Sequence, residues 1–288
     1  MHAIFEPGFF GNGTVQTAAI AGSVVAVVAA WIGVFAVVRR EAFAGEALGD
    51  LGATGGSGAF LVGVNPLWGF VAVALAGAGG IELLGSRHRP ARDLATGIVL
   101  GAGLGLAALF LYLDTSSGTS GVSVTVLFGS LFAVDRSLTT TIAALAVVPL
   151  VAVIVCHRML LLTSLSPELA AARGVPVRVV GAVYLGALAL AVALAALTIG
   201  AVLATALLIG PPATALRITK RPGATIAAAA GLGVFATLLG ILLSYDSYDW
   251  PPLHNGWPVS FLIVAVVFAL YLLTHLPVPR RSRSCSPS

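Results

Sequence analysis

Residues 14–50 read TVQTAAIAGSVVAVVAAWIGVFAVVRREAFAGEALGD. An apolar run long enough to cross a bilayer ends here at two arginines, and a second run carries Glu46 and Asp50 near its head. A charged carboxylate at the centre of a membrane helix costs roughly 2.5–3.5 kcal/mol on insertion scales. Acids placed in this way usually mark a route for an ion or a substrate. The stretch therefore predicts a helical membrane protein with a polar feature inside it.

The composition of the whole chain agrees with this prediction. Hydrophobic residues make up 58% of the 288 positions, charged residues make up 9%, and the mean hydropathy is +1.03. Because a soluble domain carries about 25% charged residues, a soluble globular fold is excluded. We predict one transmembrane domain over residues 1–288, with an N-terminal segment at 1–13 and a polar cytoplasmic tail at 276–288.

Several apolar runs have the length of a spanning helix. Their predicted bounds are 14–38, 43–63, 66–84, 94–113, 138–156, 178–197, 199–217, 223–244 and 259–275. Segment 122–134 is too short to span, so we expect it to be re-entrant or to lie flat on the membrane surface. The predicted fold class is all-α, a polytopic transmembrane helical bundle of eight or nine spans with a short cytoplasmic coupling helix.

The distribution of charge predicts the topology and excludes some functions. Basic loops alternate with loops that contain no Lys or Arg, which places the basic loops in the cytoplasm. Nine spans would put the N-terminus outside, and eight would put it inside. These positive charges indicate topology, so nucleic acid is not an expected partner, whereas membrane lipid is. Lys220 is the only lysine and no glycine-rich stretch precedes it, so the chain has no Walker A nucleotide loop.

Glu46 and Asp50 share one face of the second run, because positions i and i+4 lie one helical turn apart. Two converging carboxylates could bind a divalent cation, with water or carbonyl oxygens completing its shell. The alternative is local, since both acids lie close to Arg39 and Arg40 and acids in the first turn of a helix interact favourably with its dipole. The sequence leaves both roles open.

Two further features have alternative interpretations. Pro211 and Pro212 interrupt an apolar run, where a helix must kink or end. They are candidates for a gate or a helix break in the pathway, or they mark a helix that simply stops. Gly97, Gly101 and Gly105 stack on one face of the fourth run. Such small residues favour tight packing within one subunit, with a dimer or pore-lining face as the alternative.

The loop after the fifth run predicts a short capped helix on the cytoplasmic side. Ser166 is a suitable N-cap, Pro167 fits the first helical position, and Gly174 fits the C-cap. Glu168 and Arg173 would lie on this helix or at its end. Such a helix is either a docking element for a soluble partner or a local connector.

Five sets of residues along the chain form a recognisable series: Gly33–Arg40 with Ala42–Leu48, Asp93 with Ala95–Val99, Leu127–Gly129, Ser166–Gly174, and Ala206–Ile209 with Pro212-Ala213. In these stretches the chain resembles the membrane permeases of ABC importers of zinc, manganese and iron. The resemblance covers roughly residues 15–275, and its motifs occur in the order of that family.

The resemblance implies specific roles. In these permeases an acid, followed four residues later by a histidine, is implicated in passing the metal, and Glu46 and Asp50 occupy those positions here. An aspartate in place of the histidine favours harder ions such as manganese over zinc. The coupling loop to the ATPase falls at Ser166 to Gly174, with Ser166, Pro167, Glu168, Arg173 and Gly174 as its candidate residues.

The resemblance also implies an assembly. Two copies of the permease, hence a homodimer, work with two cytoplasmic ATP-binding subunits and an extracytoplasmic metal-binding protein in a bacterial inner (plasma) membrane. The permease is not an enzyme, and no cofactor is expected beyond the transported divalent metal ion. Two alternatives remain open from the residues alone: a channel or secondary transporter that needs no ATPase, and a membrane scaffold that does not transport.

Overall fold

The computed structural model describes residues 13–85, 89–116, 129, 131–133, 135–247 and 257–275. This part of the chain is all-helical. The helices are α1 (Gly13–Arg39), α2 (Ala42–Leu61), α3 (Pro66–Leu84), α4 (Arg89–Ser116), α5 (Arg136–Val155), α6 (His157–Leu165), α7 (Pro167–Ala172), α8 (Val177–Ile199), α9 (Ala201–Ile218), α10 (Pro222–Asp246) and α11 (Val259–Leu273). Leu131–Ala133 form a single 3-10 turn.

Each predicted apolar run coincides with one of α1–α5 or α8–α11. By length and composition, 6 helices of the described chain can cross a membrane, namely α1, α3, α4, α5, α8 and α10. The apolar helices α9 and α11 are shorter. Helix α2 is less apolar because it contains several glycines and two acids. These criteria alone therefore identify fewer spans than the eight or nine predicted.

Some predicted features lie outside the described residues, including segment 1–12, the tail at 276–288 and most of segment 122–134. Four residues of that last segment are described, at 129 and 131–133, and two of them pack closely against the bundle. Leu131 is buried beside Gly22 of α1, and Gly129 lies against the backbone where α8 meets α9. The φ of Gly129 is +73°, a conformation that favours glycine.

Helices α1, α8 and α9 form the centre of the bundle. Helices α2, α3 and α4 pack together on one flank, with α2 and α3 also reaching α8. Helices α10 and α11 form the other flank against α1 and α9, and α5 packs on α1 and α8. The central position of α1 and α8 shows in their burial, since 67% and 72% of the most apolar stretch of each helix is buried inside the bundle, against 22% for α4.

The close approach of α1 to α9 depends on Gly33. Pro212 cannot donate the helical hydrogen bond to the carbonyl of Leu208, four residues earlier. That carbonyl oxygen instead lies directly against Gly33, where any Cβ would collide with it. Both Pro211 and Pro212 are buried, and α9 continues through them to Ile218. The interpretation of these prolines as a simple helix stop is therefore wrong.

We expect Gly33→Ala to destabilise the protein by about 1–3 kcal/mol, because the added methyl overlaps the Leu208 carbonyl and lies 2.9 Å from Pro212 Cγ. The matched control is Gly186→Ala in α8, where a new Cβ meets nothing within 4 Å. The melting temperature in detergent should fall by several degrees for Gly33→Ala and should stay level or rise for Gly186→Ala. Equal melting temperatures would contradict the role of Gly33.

Gly97, Gly101 and Gly105 do not form the tight helix contact that the sequence predicted. A Cβ added at any of the three would meet nothing within 4 Å, and Gly101 and Gly105 are exposed. The contact of α4 with α2 uses Gly103 instead, which packs against Leu51. The preferred prediction of tight packing within one subunit is therefore wrong for these three, because the face that α4 buries is a neighbouring one.

Candidate functional site

The two acids lie on α2 as predicted, one turn apart. They are the fifth and ninth residues of the helix, and α2 has no acid in its first turn. The local role at the helix dipole therefore does not fit, since that effect fades beyond the first turn. Glu46 is exposed and Asp50 is half-buried, on a face that also carries Phe43.

The adjacent face of α2 explains why the acids point where they do. A Cβ at Gly45 would lie 2.7 Å from Leu208 of α9, and one at Gly49 would lie 3.1 Å from Val192 of α8. Because these glycines let α2 press against the centre of the bundle, the carboxylates one position further along remain at the rim of that contact. The result is a polar stripe beside a tightly packed apolar interface.

If Glu46 and Asp50 bind a metal ion, they supply only part of its ligands. Among the described residues there is no group of three or more His, Cys, Asp or Glu that could hold a metal ion. Two carboxylates one turn apart offer hard oxygen donors, which suit ions of the Mg²⁺, Ca²⁺ and Mn²⁺ type. Such ions take about six or more oxygen ligands, so the remaining ligands must come from elsewhere.

The segment between α5 and α8 has the predicted local geometry. Ser166 Oγ accepts a hydrogen bond from the Leu169 amide at 3.3 Å, and Pro167 begins α7. At the other end the Gly174 amide donates to the Ala171 carbonyl with the glycine at φ +78°. These contacts form an N-cap and a left-handed C-cap. We call α6 and α7 together the docking segment.

The surface of the docking segment combines apolar and charged side chains. Leu165 is 83% exposed and Leu169 is 63% exposed. Glu168 and Arg173 are exposed beside them, whereas Ala170 is fully buried. A capped element that shows large apolar side chains next to charges can pack against another protein.

A cluster of charges that the sequence did not reveal lies where α1 meets α2. Glu41 Oε1 lies 3.2 Å from Arg39 Nη2 and 3.4 Å from Arg92 Nη1, and Arg92 Nη2 lies 3.1 Å from Glu82 Oε2. We call these four residues the arginine–glutamate cluster. Arg39 and Glu41 are nearly buried, at 11% and 12% side-chain exposure. In the sequence, the visible part of this cluster was Glu41 directly after Arg39 and Arg40. The second arginine that pairs with Glu41, Arg92, is remote in the chain.

The guanidinium of Arg39 has contacts beyond this cluster. Its Nη1 donates to Thr163 Oγ1 of α6 at 3.1 Å, and its carbon lies 5.0 Å from the centre of the Tyr184 ring. Tyr184 is fully buried in α8 and donates its hydroxyl to the Ile32 carbonyl at 3.1 Å. The turn is sharp, since Arg40 has φ +59° and the Glu41 amide closes it by donating to the Ala36 carbonyl at 2.8 Å.

The sequence matches the ABC 3 transport family over residues 12–275. The chain belongs to this family. The resemblance to metal-importer permeases is therefore confirmed, and the described helices of this ABC 3 family chain are those of a membrane permease rather than of an ATPase.

Relatives of this family member carry names from metal transport. The manganese transport system membrane protein MntC of Halalkalibacterium halodurans is 31% identical over 256 residues, or 88% of this chain and 85% of that protein. The high-affinity zinc uptake system membrane protein ZnuB of Haemophilus influenzae is 28% identical over 236 residues, or 81% of this chain and 90% of that protein. The solved structure of PsaBC from Streptococcus pneumoniae in complex with Fab is similar with a TM-score of 0.79 and 25% identity, covering 97% of both chains.

Proposed function

We propose that this chain is the permease subunit of an ATP-driven importer of divalent metal ions, and that it forms the path through the membrane. The chain is not an enzyme, and ATP hydrolysis belongs to a separate subunit. The observation that carries this proposal is the pair Glu46 and Asp50 on the open face of α2, in a chain that belongs to the ABC 3 transport family.

The transmembrane path would be built from nine crossings, α1–α5 and α8–α11, in a single domain. The 20 residues of α2 have a length of roughly 30 Å, which matches the hydrocarbon core of a bilayer. Nine crossings place every described basic residue except Arg136 on one side of the membrane. Since basic loops stay in the cytoplasm, the docking segment and the polar tail would be cytoplasmic and the N-terminus would be outside. We infer a bacterial inner (plasma) membrane as the location.

The substrate we favour is Mn²⁺. Glu46 and Asp50 offer carboxylate oxygens only, and hard oxygen donors suit manganese better than zinc, which prefers imidazole and thiolate. The relative named for manganese transport is also somewhat more similar than the one named for zinc uptake, at 31% against 28% identity. A second copy of the chain would bring two more carboxylates to the same path, which supports a working homodimer.

The docking segment would bind the cytoplasmic ATP-binding subunit, and an extracytoplasmic metal-binding protein would deliver the ion. The candidate coupling residues are Ser166, Pro167, Glu168, Arg173 and Gly174, together with the exposed leucines beside them. Pro211 and Pro212 would serve as a flexible point in α9, because the Leu208 carbonyl there is released from the helical ladder.

The test is transport by the isolated complex. We expect proteoliposomes that contain this chain with its co-isolated ATP-binding subunit to accumulate ⁵⁴Mn²⁺ only when ATP is supplied, and excess Mn²⁺ to compete better than Zn²⁺. Equal accumulation with and without ATP would instead identify a channel or a secondary transporter. No accumulation under either condition would point to a scaffold and contradict the proposal.

A further inference from the structure

The docking segment has one polar connection to the α1–α2 turn in the part of the chain that is described. Thr163 of α6 accepts from Arg39, and Arg39 donates through both Nε and Nη2 to the same oxygen of Glu41, at 3.3 and 3.2 Å. The larger packing contacts of α6 are with α1, α5, α7 and α8. Arg39 adds a polar route by which a displacement of α6 can reach the start of α2.

Glu41 is the point at which this connection enters α2. Its backbone carbonyl accepts from the Gly45 amide at 3.1 Å, so the residue is the N-cap of the helix. Glu46 is five residues further along, which is about 7.5 Å of helix rise. A helix moves as a rigid rod over such a short distance, so a displacement of Glu41 also displaces Glu46.

Arg92 ties a second helix to the same oxygen. Its Nη1 lies 3.4 Å from Glu41 Oε1, while its Nη2 holds Glu82 at the end of α3. The starts of α2 and α4 and the end of α3 therefore meet at one neutral group of two arginines and two glutamates. Arg39 and Glu41 are nearly buried, so breaking their pair would leave a poorly solvated charge, whereas Arg92 and Glu82 are partly exposed and link the ends of α3 and α4 more weakly.

We propose that Arg39 and Glu41 are positioning residues that carry movement of the docking segment to the helix bearing Glu46 and Asp50. This inference rests on the proposed function, in which the docking segment moves with the ATP-binding subunit. Thr163 is the contact at which the movement enters, and Glu41 is the contact at which it reaches α2. Neither Arg39 nor Glu41 binds the ion.

The experiment measures ⁵⁴Mn²⁺ uptake and ATP hydrolysis in the same proteoliposomes, which contain the complete transporter isolated from its host. Thr163→Val keeps the side-chain shape but removes the acceptor for Arg39, and Thr163→Ser keeps the acceptor. Thr141→Val is the matched control, because the hydroxyl of that half-buried residue bonds, among the described residues, the Ser137 carbonyl one turn earlier and no other helix. Glu41→Gln is a second, stronger variant.

We expect Thr163→Val and Glu41→Gln to lower the ions transported per ATP at least about fivefold, with Thr163→Ser and Thr141→Val near the parent ratio. A purely structural role would lower uptake and hydrolysis in proportion and leave the ratio unchanged, which would overturn the inference. If the parent itself shows no ATP-dependent uptake, the proposed function fails, and the inference fails with it. The two failures are therefore distinguishable.

Discussion

Replacing Glu46 with Gln together with Asp50 with Asn should reduce manganese uptake at least about a hundredfold. Both substitutions preserve shape and polarity and remove only the negative charges. A dication crossing the bilayer loses most of its water, and charged oxygens are the groups that compensate for that loss. Two neutral amides supply too little of that compensation, so the barrier for the ion rises. The measurement is ⁵⁴Mn²⁺ uptake in cells, normalised to the amount of protein in the membrane.

The acid pair can be neutralised without damage to the fold. Glu46 is exposed and Asp50 is half-buried, and the ion pairs of the described chain use Glu41 and Glu82 instead. We therefore expect the double variant to melt and to co-isolate with its ATP-binding subunit like the parent. Asp93→Asn is the matched control, since it removes one exposed carboxylate from α4 and should leave uptake within about twofold. Parent-level uptake by the double variant would disprove the assigned route.

The sequence predicted the features that local chemistry decides. In a bilayer, the backbone N–H and C=O groups of an apolar run of about twenty residues must form hydrogen bonds within the run, so helices were expected wherever such runs occur. The caps at Ser166 and Gly174 depend on contacts within one or two turns, and both are present. Glu46 and Asp50 lie on one face of α2 for the same reason.

The features that the sequence did not reveal depend on contacts between distant segments. Thr163 is 124 positions from Arg39, and no local pattern links the two. Which face of a glycine-rich helix is buried is also a tertiary property, so Gly103 could not be separated from Gly101 by spacing. The effect of the prolines of α9 could not be predicted, because it depends on what packs against the Leu208 carbonyl that Pro212 leaves without a helical partner. In the structure that neighbour is Gly33, which lies on another helix.

Leu169→Glu should abolish stable association with the ATP-binding subunit. The side chain is 63% exposed on α7, and its backbone amide is held by the Ser166 cap, so the substitution leaves the helix intact. A large apolar side chain at the centre of a protein interface contributes about 2–4 kcal/mol, which corresponds to a weakening of roughly 30-fold or more. A carboxylate in the same place adds an unpaired charge next to Glu168. The measurement is co-isolation of the two subunits from detergent-solubilised membranes, followed by ATP-dependent uptake.

Leu83→Glu is the control that separates docking from a general effect of new charge. Leu83 is 89% exposed at the end of α3, outside the docking segment, and the proposed nine-span topology would put it on the same cytoplasmic side. If both variants lose the ATP-binding subunit, the docking site is broader than α6 and α7 and its assignment to them is wrong. If only Leu169→Glu loses it, while Glu46→Gln with Asp50→Asn keeps it, then docking and the ion route are separate functions of one chain. The arginine–glutamate cluster would then be the structural connection between these two functions.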